Sequence, residues 1–335
     1  MEKTEEVHAL KAIVKDNILL TDGAMGTYYA VQHNGYPMPE FENIEHPEII
    51  RGIHLAYVEA GAKLLRTNTF AANCKTLNTQ ADELIKIIKA GYRIAREAAA
   101  DRDVFVAADI GPIPENTDPA PGPGNEKNRF DEYIEIIDAF LEEGARIFWF
   151  ETFGKPDDIE FCAEYIKKAC PVSFINAQFA FDSTGYTREG VSLSTIRTKM
   201  AENPRIDAWG FNCAMGPVHM LSLIEGLPVE KNFILSALPN TGYPVIKNQR
   251  TVYPLNPEYF ADRVMKIVEA GAKIVGGCCG TTPEHIKAIS KRLYEAKYKV
   301  STAVKEKKEV VDTVPYSANS FKEKLDRGEK LIMVE

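Results

Sequence analysis

Short apolar runs alternate with amphipathic stretches along most of the chain, and each apolar run leads into a polar or glycine-containing loop. Short apolar runs predict buried strands, and apolar positions spaced by three and four residues predict the helices between them. The predicted strands are residues 18–20, 63–70, 104–108, 147–150, 172–178, 208–212, 233–237 and 272–275. The predicted helices cover residues 2–16, 47–60, 83–100, 130–143, 156–169, 257–270 and 283–296.

Glycines mark the ends of several predicted helices. Gly61, Gly144 and Gly271 each lie in an Ala-Gly-Ala or Glu-Gly-Ala setting just before a strand. Glycine at this position is typical of helix C-caps. Eight strand-then-helix units in about 280 residues predict an α/β fold of the (β/α)₈ TIM-barrel type. Seven or nine strands would instead indicate an open doubly wound sheet.

Three cysteines follow predicted strands. Cys278 and Cys279 lie between glycines after the last strand, and Cys213 follows the sixth. In a parallel barrel the carboxyl ends of all strands meet at one face. Three thiols at that face suggest a zinc site with three thiolates and an open fourth position. We interpret the other cysteines, Cys74, Cys162 and Cys170, as core residues.

Further polar residues also follow strands. Asp22, Glu151 and Asn240 come after strands one, four and seven, so they should meet the cysteines at the barrel mouth. Turn chemistry is the competing interpretation for Asp22, in a glycine-rich loop, and for Asn240, in Pro-Asn-Thr-Gly. Glu151 follows an aromatic strand, where a carboxylate without a role is costly.

Composition narrows the functional classes. The chain has 335 residues, a formal charge of −8 and no basic patch, which argues against nucleic-acid binding. No apolar run approaches the roughly 20 residues of a membrane span, and the acidic N-terminus does not resemble a signal peptide. Six cysteines are too sparse for a disulfide scaffold. These features predict a cytoplasmic protein in a reducing compartment.

Composition also predicts the domain organisation. Residues 1–300 form the predicted barrel, and residues 301–318 form a charged linker. Residues 319–335 are predicted as a helix followed by an apolar strand, which is the start of a second, truncated domain. The proline- and glycine-rich stretch 111–124 follows strand three, and its length is typical of a lid or a partner surface.

Four motifs carry a resemblance to a known family. Asp22-Gly23-Ala24-Met25-Gly26-Thr27, Thr67-Asn68-Thr69-Phe70, Gly210-Phe211-Asn212-Cys213 and the run from Gly276 to Pro283 resemble the homocysteine S-methyltransferase domain. The resemblance extends from about residue 10 to residue 298. The same domain occurs in cobalamin-dependent methionine synthase and in bifunctional homocysteine methyltransferase–methylenetetrahydrofolate reductases. The C-terminal stretch resembles the opening of that reductase domain, which implies a fused domain in a longer protein.

The resemblance implies a function and a set of roles. It implies a TIM barrel that transfers a methyl group to the thiol of L-homocysteine, giving methionine, with zinc as the cofactor. By motif, Cys213, Cys278 and Cys279 correspond to the zinc ligands. The resemblance further places Asp22 and Glu151 near the substrate amino group, Gly23 and Ala24 near its carboxylate, and Asn240 near the metal. Arg66 departs from the pattern of many members. Thr152 departs from the betaine-dependent enzymes, which have a tyrosine at this position, and this argues against betaine as the donor.

The methyl donor and two other functions stay open at this stage. The donor is either a small molecule, whose cationic methyl group would sit against aromatic rings, or a methyl-corrinoid protein. Aromatic residues available for the first case are Phe70, Phe153, Phe179 and Tyr186. One alternative is a homocysteine-activating module that acts only with a separate corrinoid protein. Another is a vicinal-dithiol redox protein using Cys278 and Cys279, which leaves Cys213 unexplained.

Overall fold

The computed structural model describes residues 3–33, 38–115, 128–228, 234–242, 245–247, 250–252 and 256–296. Within them, eight parallel strands form a barrel and two short strands form a separate hairpin. The barrel strands are β1 (Leu19–Leu20), β2 (Leu64–Arg66), β3 (Phe105–Ile110), β4 (Ile147–Phe153), β5 (Phe174–Phe179), β6 (Ala208–Asn212), β7 (Ile234–Leu238) and β10 (Ile274–Val275). The hairpin strands are β8 (Val245–Lys247) and β9 (Arg250–Val252). The predicted TIM barrel is confirmed.

The strand order shows how the barrel closes. Hydrogen bonding runs β1-β10-β7-β6-β5-β4-β3-β2, which leaves β1 and β2 as the two ends of the sheet. A parallel bridge from Thr21 to Leu64 joins these ends. The Lys63 N–H donates to Leu20 O at 2.8 Å, and the Asp22 N–H donates to Leu64 O at 3.0 Å. The loop that carries the first motif, Asp22 to Thr27, is called the first motif loop. It therefore begins where β1 and β2 meet to close the barrel.

Helices surround the strands and close one end of the barrel. They are α1 (Lys3–Asp16), α2 (Gly26–His33), α3 (Glu42–Glu45), α4 (Pro47–Glu59), α5 (Cys74–Leu77), α6 (Ala81–Ala99), α7 (Arg129–Glu142), α8 (Asp157–Ala169), α9 (Leu193–Glu202), α10 (Pro217–Glu225), α11 (Pro257–Glu269) and α12 (Pro283–Glu295), with a 3₁₀ turn at Pro39–Phe41. Helix α1 packs Val7, Leu10 and Val14 against the inward residues of the strands. It covers the face opposite the motif loops. None of the described helices combines the length and the apolar character needed to cross a membrane.

Strand alternation separates two apolar cores. Residues such as Leu64, Ala107 and Trp149 fill the barrel interior, whereas their strand neighbours pack outward against the helices. Successive strand side chains point to opposite faces. Residues two positions beyond those inward residues therefore also point inward, at the carboxyl ends of the strands.

The predicted glycine caps are confirmed. Gly61, Gly144 and Gly271 all have positive φ, at 103°, 89° and 117°. After α4, the Gly61 N–H donates to Val58 O and the Ala62 N–H donates to Tyr57 O, each at 3.0 Å. This pair of bonds is the Schellman motif, which fixes the angle at which the chain enters the next strand.

Several predicted boundaries were wrong. β2 ends at Arg66 rather than at residue 70, because the Thr67 and Thr69 hydroxyls replace ladder bonds: Thr67 Oγ1 accepts from the Asp109 N–H, and Thr69 Oγ1 donates to Asp109 O. β4 extends past residue 150 to Phe153, with an irregular register over its last residues. The β8–β9 hairpin was missed.

Other predictions fall outside the described residues. The chain divides into the units Met1–Val300 and Ser301–Glu335, and the second unit lies wholly outside them. The linker 301–318 and the second domain 319–335 therefore stay predictions. Most of the stretch 111–124 also lies outside the described ranges.

Candidate active site

Three thiols converge at the open end of the barrel. Cys213 follows β6, and Cys278 and Cys279 follow β10. Their sulfur atoms lie within 4.8 Å of one another, with Cys213 Sγ 3.6 Å from Cys279 Sγ. The predicted trio is thus brought together from two strand ends that are 65 residues apart in the sequence, counting from Cys213 to Cys278.

The barrel ladder positions these cysteines. The Cys213 N–H donates to Leu238 O at 3.1 Å, and the Cys278 N–H donates to Pro239 O at 2.9 Å. The segments that contain Cys213 and Cys278 are therefore both hydrogen bonded to the end of β7, which lies between β6 and β10 in the sheet. Cys213 has a φ of 58°, a left-handed value that costs a non-glycine residue energy. Such backbone strain is concentrated at functional sites.

Contacts among the three thiols shift their pKa values in opposite directions. Hydrogen bonds with the other two cysteines lower the pKa of Cys213, and a hydrogen bond with the Asn240 side chain lowers it further. Hydrogen bonds with Cys213 and Cys279 raise the pKa of Cys278, and burial raises it further. Asn212 Nδ2 donates toward Cys278 Sγ at 3.8 Å.

The donor set fits zinc. Zinc–thiolate bonds of about 2.3 Å in a tetrahedron put the sulfur atoms roughly 3.8 Å apart. The 3.6 Å separation of Cys213 and Cys279 is close to this value. The three thiols share one location and could supply three ligands, which is the number of protein ligands in a catalytic zinc site.

A buried charged layer lies beside the thiols. Arg66 Nε donates to Asp22 Oδ1 at 2.7 Å, and Arg66 Nη1 donates to Glu151 Oε1. Arg66 Nη2 donates to the backbone oxygens of Gly23, at 2.8 Å, and Gly277, at 2.9 Å. The guanidinium therefore ties both predicted carboxylates to two of the motif loops.

Burial governs the charges of this layer. Desolvation raises the pKa of Asp22 and of Glu151, and the nearby Arg66 only partly offsets that rise. Burial likewise opposes the charge of Arg66, but Asp22, Glu151 and Asp109 hold its pKa well above the usual value. The layer contains more carboxyl groups than cations, so it favours an additional positive charge.

Asp109 is a third acidic member of this layer that the sequence analysis missed. It lies two residues beyond the inward Ala107 on β3, and it is 4% exposed. Desolvation and the neighbouring Glu151 raise its pKa well above the usual range. Its inward parity with Phe105 and Ala107 was the sequence signal that could have revealed it.

Asn212 links the charged layer to the thiols. Its Oδ1 accepts from the Thr152 N–H at 2.8 Å, and its Nδ2 donates to Thr152 Oγ1, also at 2.8 Å. Thr152 has a φ of 61°, which is rare for a β-branched residue. The residues on either side of this clamp, Glu151 and Cys213, are therefore held in a fixed relation.

The first motif loop is locked against the last one. The Ala24 N–H donates to Thr281 Oγ1 at 3.0 Å, and the Tyr57 hydroxyl donates to Ala24 O at 2.7 Å. A Cβ on Gly23 would lie 2.7 Å from Thr281 Oγ1, so only glycine fits there. The Ala24 N–H, predicted to receive a substrate carboxylate, already has a partner in this structure.

The four aromatic residues considered for a cationic methyl donor differ in exposure. Phe70 is 39% and Tyr186 is 50% exposed. Phe153 and Phe179 are buried in the outer core between strands and helices, so the prediction that they are available was wrong.

Comparisons with known proteins agree with this geometry. The family model described as homocysteine S-methyltransferase matches residues 19–293. Methionine synthase from Mycobacterium tuberculosis (strain ATCC 25618 / H37Rv) is 29% identical over 299 residues, which are 83% of this chain and 25% of that protein. Methionine synthase from Mycobacterium leprae (strain TN) is 29% identical over 296 residues, 82% of this chain and 24% of that protein. The chain thus spans about a quarter of the length of these curated relatives.

Solved structures give a similar result. The metallated form of the homocysteine methyltransferase MmuM from Escherichia coli is 25% identical, with a TM-score of 0.65. Its oxidized form is 26% identical, with a TM-score of 0.66. Both matches cover 86% of this chain and 99% of the other.

Proposed function

Because this chain belongs to the homocysteine S-methyltransferase family, we propose that it transfers a methyl group to the thiol of L-homocysteine at a zinc ion. Cys213, Cys278 and Cys279 would hold the metal. The observation that carries this proposal is the convergence of three thiols within 4.8 Å at the open end of the barrel. A structure with similar fold and sequence is described as metallated, which supports metal binding by this chain.

Zinc would supply a single kind of chemistry. A zinc ion held by these cysteines would lower the pKa of the substrate thiol, so that the thiol would react as its nucleophilic thiolate. The protein then has to hold the substrate so that its sulfur faces the methyl donor, which is catalysis by positioning. No general base is needed at the sulfur.

The charged layer supports a role in binding the substrate amino group. Glu151 accepts a hydrogen bond from Arg66 Nη1 at Oε1. Asp22 accepts from Arg66 through both oxygens, from Nε at Oδ1 and from the backbone N–H at Oδ2. We infer that Asp22 contributes negative charge and holds Arg66, whereas Glu151 contacts the ammonium directly.

The remaining predicted residues have supporting contacts of different kinds. The backbone around Gly23 and Ala24 lies next to the thiol loop, but a substrate carboxylate there has to displace Thr281 from the Ala24 N–H or use another N–H of the loop. Asn240 is hydrogen bonded to Cys213, and its Oδ1 has no partner among the described residues. This contact supports its predicted position near the metal.

The donor is the open part of the proposal. The curated relatives are named methionine synthase, so a methyl-corrinoid protein is one candidate. The exposed rings of Phe70 and Tyr186 offer surfaces for a small cationic donor instead. Methionine formation measured with methylcobalamin, S-methylmethionine, S-adenosylmethionine and betaine separates these cases. Activity only with an added corrinoid protein identifies the chain as a homocysteine-activating module.

Metal analysis of cysteine variants tests the metal site. Cys213→Ser, Cys278→Ser and Cys279→Ser should each lose stoichiometric zinc, while the wild type retains about one zinc per chain after dialysis. Cys170→Ser is the control, because Cys170 is also buried but lies away from the trio, after α8. Tight stoichiometric zinc in any of the three variants would contradict the assignment. A zinc-free wild type with a reducible Cys278–Cys279 pair would favour the redox alternative.

A further inference from the structure

A row of hydrogen bonds crosses the barrel interior and joins three strands. Trp149 Nε1 on β4 donates to Gln178 Oε1 on β5 at 2.9 Å. Gln178 Nε2 donates to Ser236 Oγ on β7 at 3.1 Å, and that hydroxyl donates to Asn176 Oδ1 at 3.0 Å. All four residues are fully buried. We call these three hydrogen bonds the interior bridge.

The strand pattern directs these side chains into the barrel. Asn176 and Gln178 follow the inward Phe174 at two-residue intervals on β5. Ser236 lies two residues before the inward Leu238 on β7. Residues two apart on a strand point to the same face. The interior bridge therefore lies inside the barrel, near the carboxyl ends of these strands.

Gly210 leaves the space that the interior bridge crosses. It lies on β6 between Gln178 and Ser236, and the three residues are register partners on adjacent strands. An added Cβ at Gly210 would lie 1.8 Å from Ser236 O, so β6 and β7 approach each other closely there. Because glycine presents no side chain, the Gln178 amide reaches past β6 to the serine hydroxyl on the next strand.

The chemistry of the four groups permits one direction of donation. An indole N–H can only donate, so the amide oxygen of Gln178 has to face Trp149. The amide nitrogen of Gln178 then faces Ser236, whose hydroxyl is free to donate to Asn176 Oδ1. Buried groups that satisfy one another in this way hold a rigid arrangement, since each lost bond would leave a polar atom unpaired.

Strand β7 connects the interior bridge to the thiols. Two residues beyond Ser236, Leu238 O accepts from the Cys213 N–H at 3.1 Å. The next carbonyl oxygen, Pro239 O, accepts from the Cys278 N–H at 2.9 Å. The backbone of both cysteines is therefore held by the end of the strand whose position the interior bridge fixes.

The third cysteine is held by the same segment. The Thr241 N–H donates to Cys279 O at 3.1 Å, so residues 238–241 are hydrogen bonded to the backbone of all three cysteines. A shift of β7 would displace three thiol-bearing segments that have to meet at one metal position. Metal–ligand distances tolerate changes of only about 0.2 Å, so a small shift would be felt at the site.

We propose that Gln178 and Ser236 are positioning residues for the metal site, and that the interior bridge sets the place of β7 and hence the spacing of the three sulfur atoms. Both residues act through the backbone of β7 and not through contact with the metal. This inference rests on the proposed function, because it requires a metal ion bound by the three cysteines.

Cobalt(II) in place of zinc gives the test a spectroscopic readout. Cobalt bound by thiolates has charge-transfer and ligand-field absorption bands whose positions and intensities depend on the ligand type and geometry. The full chain is stripped of metal and titrated with Co²⁺, and Zn²⁺ affinity is measured separately against a chelator. The wild type should show thiolate-to-cobalt bands that saturate at about one metal per chain.

Ser236→Ala and Gln178→Leu each break the interior bridge without changing a thiol. Both variants should bind zinc roughly 10-fold more weakly, which is the lower end of the effect of outer partners of metal ligands. Their cobalt bands should shift and lose intensity. Because both changes interrupt the same bridge, the double variant should lose little more than the weaker-binding single variant. If Ser236→Ala does not fold, Gln178→Leu alone decides the test.

Ser173→Ala is the matched control. Ser173 is also a fully buried serine, but it precedes β5, at the end of the barrel opposite the thiols. Its hydroxyl has no hydrogen-bond partner in the part of the chain that the structure describes. Ile166→Val on α8 controls for a general loss of stability, because removing one buried carbon costs about as much as losing one hydrogen bond. Both controls should keep the cobalt spectrum and zinc affinity of the wild type.

The outcomes separate the two proposals. If the wild type gives no thiolate-to-cobalt bands, the three cysteines do not bind a metal together, so the proposed function fails and the inference fails with it. If the wild type gives these bands and both bridge variants keep its spectrum and zinc affinity, the inference alone is wrong. An equal change in Ile166→Val would trace the effect to loosening of the whole barrel, which also overturns the inference.

Discussion

Replacement of Arg66 by methionine tests whether the buried guanidinium stabilises the carboxylates of Asp22 and Glu151. The side chain of Arg66 is 7% exposed, and those of its partners Asp22 and Glu151 are 4% and 7% exposed. Arg66→Met keeps much of the apolar volume but removes every N–H donor of the guanidinium. Glu151 and the carbonyl oxygens of Gly23 and Gly277 then lose their guanidinium donors. Asp22 keeps only the bond from the backbone N–H of residue 66.

The expected loss is large because one partner of a buried ion pair is removed while the other remains. Such changes cost about 3–5 kcal/mol. At ~2–4 °C per kcal/mol for a domain of this size, the unfolding midpoint should fall by roughly 6–20 °C. Arg66→Lys should lose less, since the charge remains, but it should not match the wild type because a lysine cannot reproduce the planar fork.

The loss should also depend on pH. Burial already raises the pKa of Asp22 and Glu151 above their ordinary values of 3.8 and 4.5, and removal of Arg66 raises both further. A carboxyl group whose pKa is higher in the folded state than in the unfolded state loses its stabilising contribution as pH rises through the folded pKa. Arg66→Met should therefore be less destabilised at pH 5 than at pH 8.

Thermal unfolding followed by circular dichroism at both pH values measures this effect. Arg93→Met is the matched control, because Arg93 also makes a two-bond pair, with Glu143, but its side chain is 63% exposed. The control should show no measurable change in midpoint. If Arg66→Met behaves like Arg93→Met at pH 8, the carboxylates do not depend on the guanidinium, and the reasoning about this layer is wrong.

Two further predictions concern the barrel and the C-terminal stretch. Gly210→Ala should prevent correct pairing of β6 with β7, because an added Cβ would lie 1.8 Å from Ser236 O. Soluble yield and zinc content measure this effect, and a folded, zinc-loaded variant would contradict the prediction. Deletion of residues 301–335 should leave the unfolding midpoint of the zinc-loaded protein within ~2–4 °C, since these residues form a separate unit. A larger fall would show that the stretch belongs to the barrel.

The barrel was predictable because its signals are local. Gly61, Gly144 and Gly271 end helices by adopting positive φ. Each can be recognised from an Ala-Gly-Ala or Glu-Gly-Ala tripeptide in the sequence. Strand lengths were less predictable. β2 stops where Thr67 begins to bond across to Asp109, and no pattern within residues 63–70 reveals that partner.

The hairpin β8–β9 was missed although a signal existed. Two β-branched stretches flank the pair Asn248-Gln249, and a two-residue connection is typical of a β-hairpin. The stretch lacks the Asn-Gly or Asp-Gly turn that makes such a connection conspicuous. The sequence analysis therefore predicts no strand at Val245–Lys247 or Arg250–Val252.

The candidate site was predictable in its motifs but not in its charge balance. Cys213, Cys278 and Cys279 carry their own signal, because glycines and strand ends surround them, and the structure brings them together. Arg66 could be recognised only as an unusual residue before a motif. Its role depends on contacts with Asp22, 44 residues away, and Glu151, 85 residues away.

Asn212 shows why such a site has to be read from the assembled fold. In the sequence it is the residue before a cysteine. In the structure its amide clamps Thr152, the residue after Glu151, and also points at Cys278 Sγ. Thr152 and Cys213 both hold left-handed backbone angles that only a surrounding set of bonds sustains. The separation between the carboxylate layer and the thiols is consequently set by strained backbone fixed at two strand ends. Asn212 contacts both parts of the site, so a substitution there acts on both together.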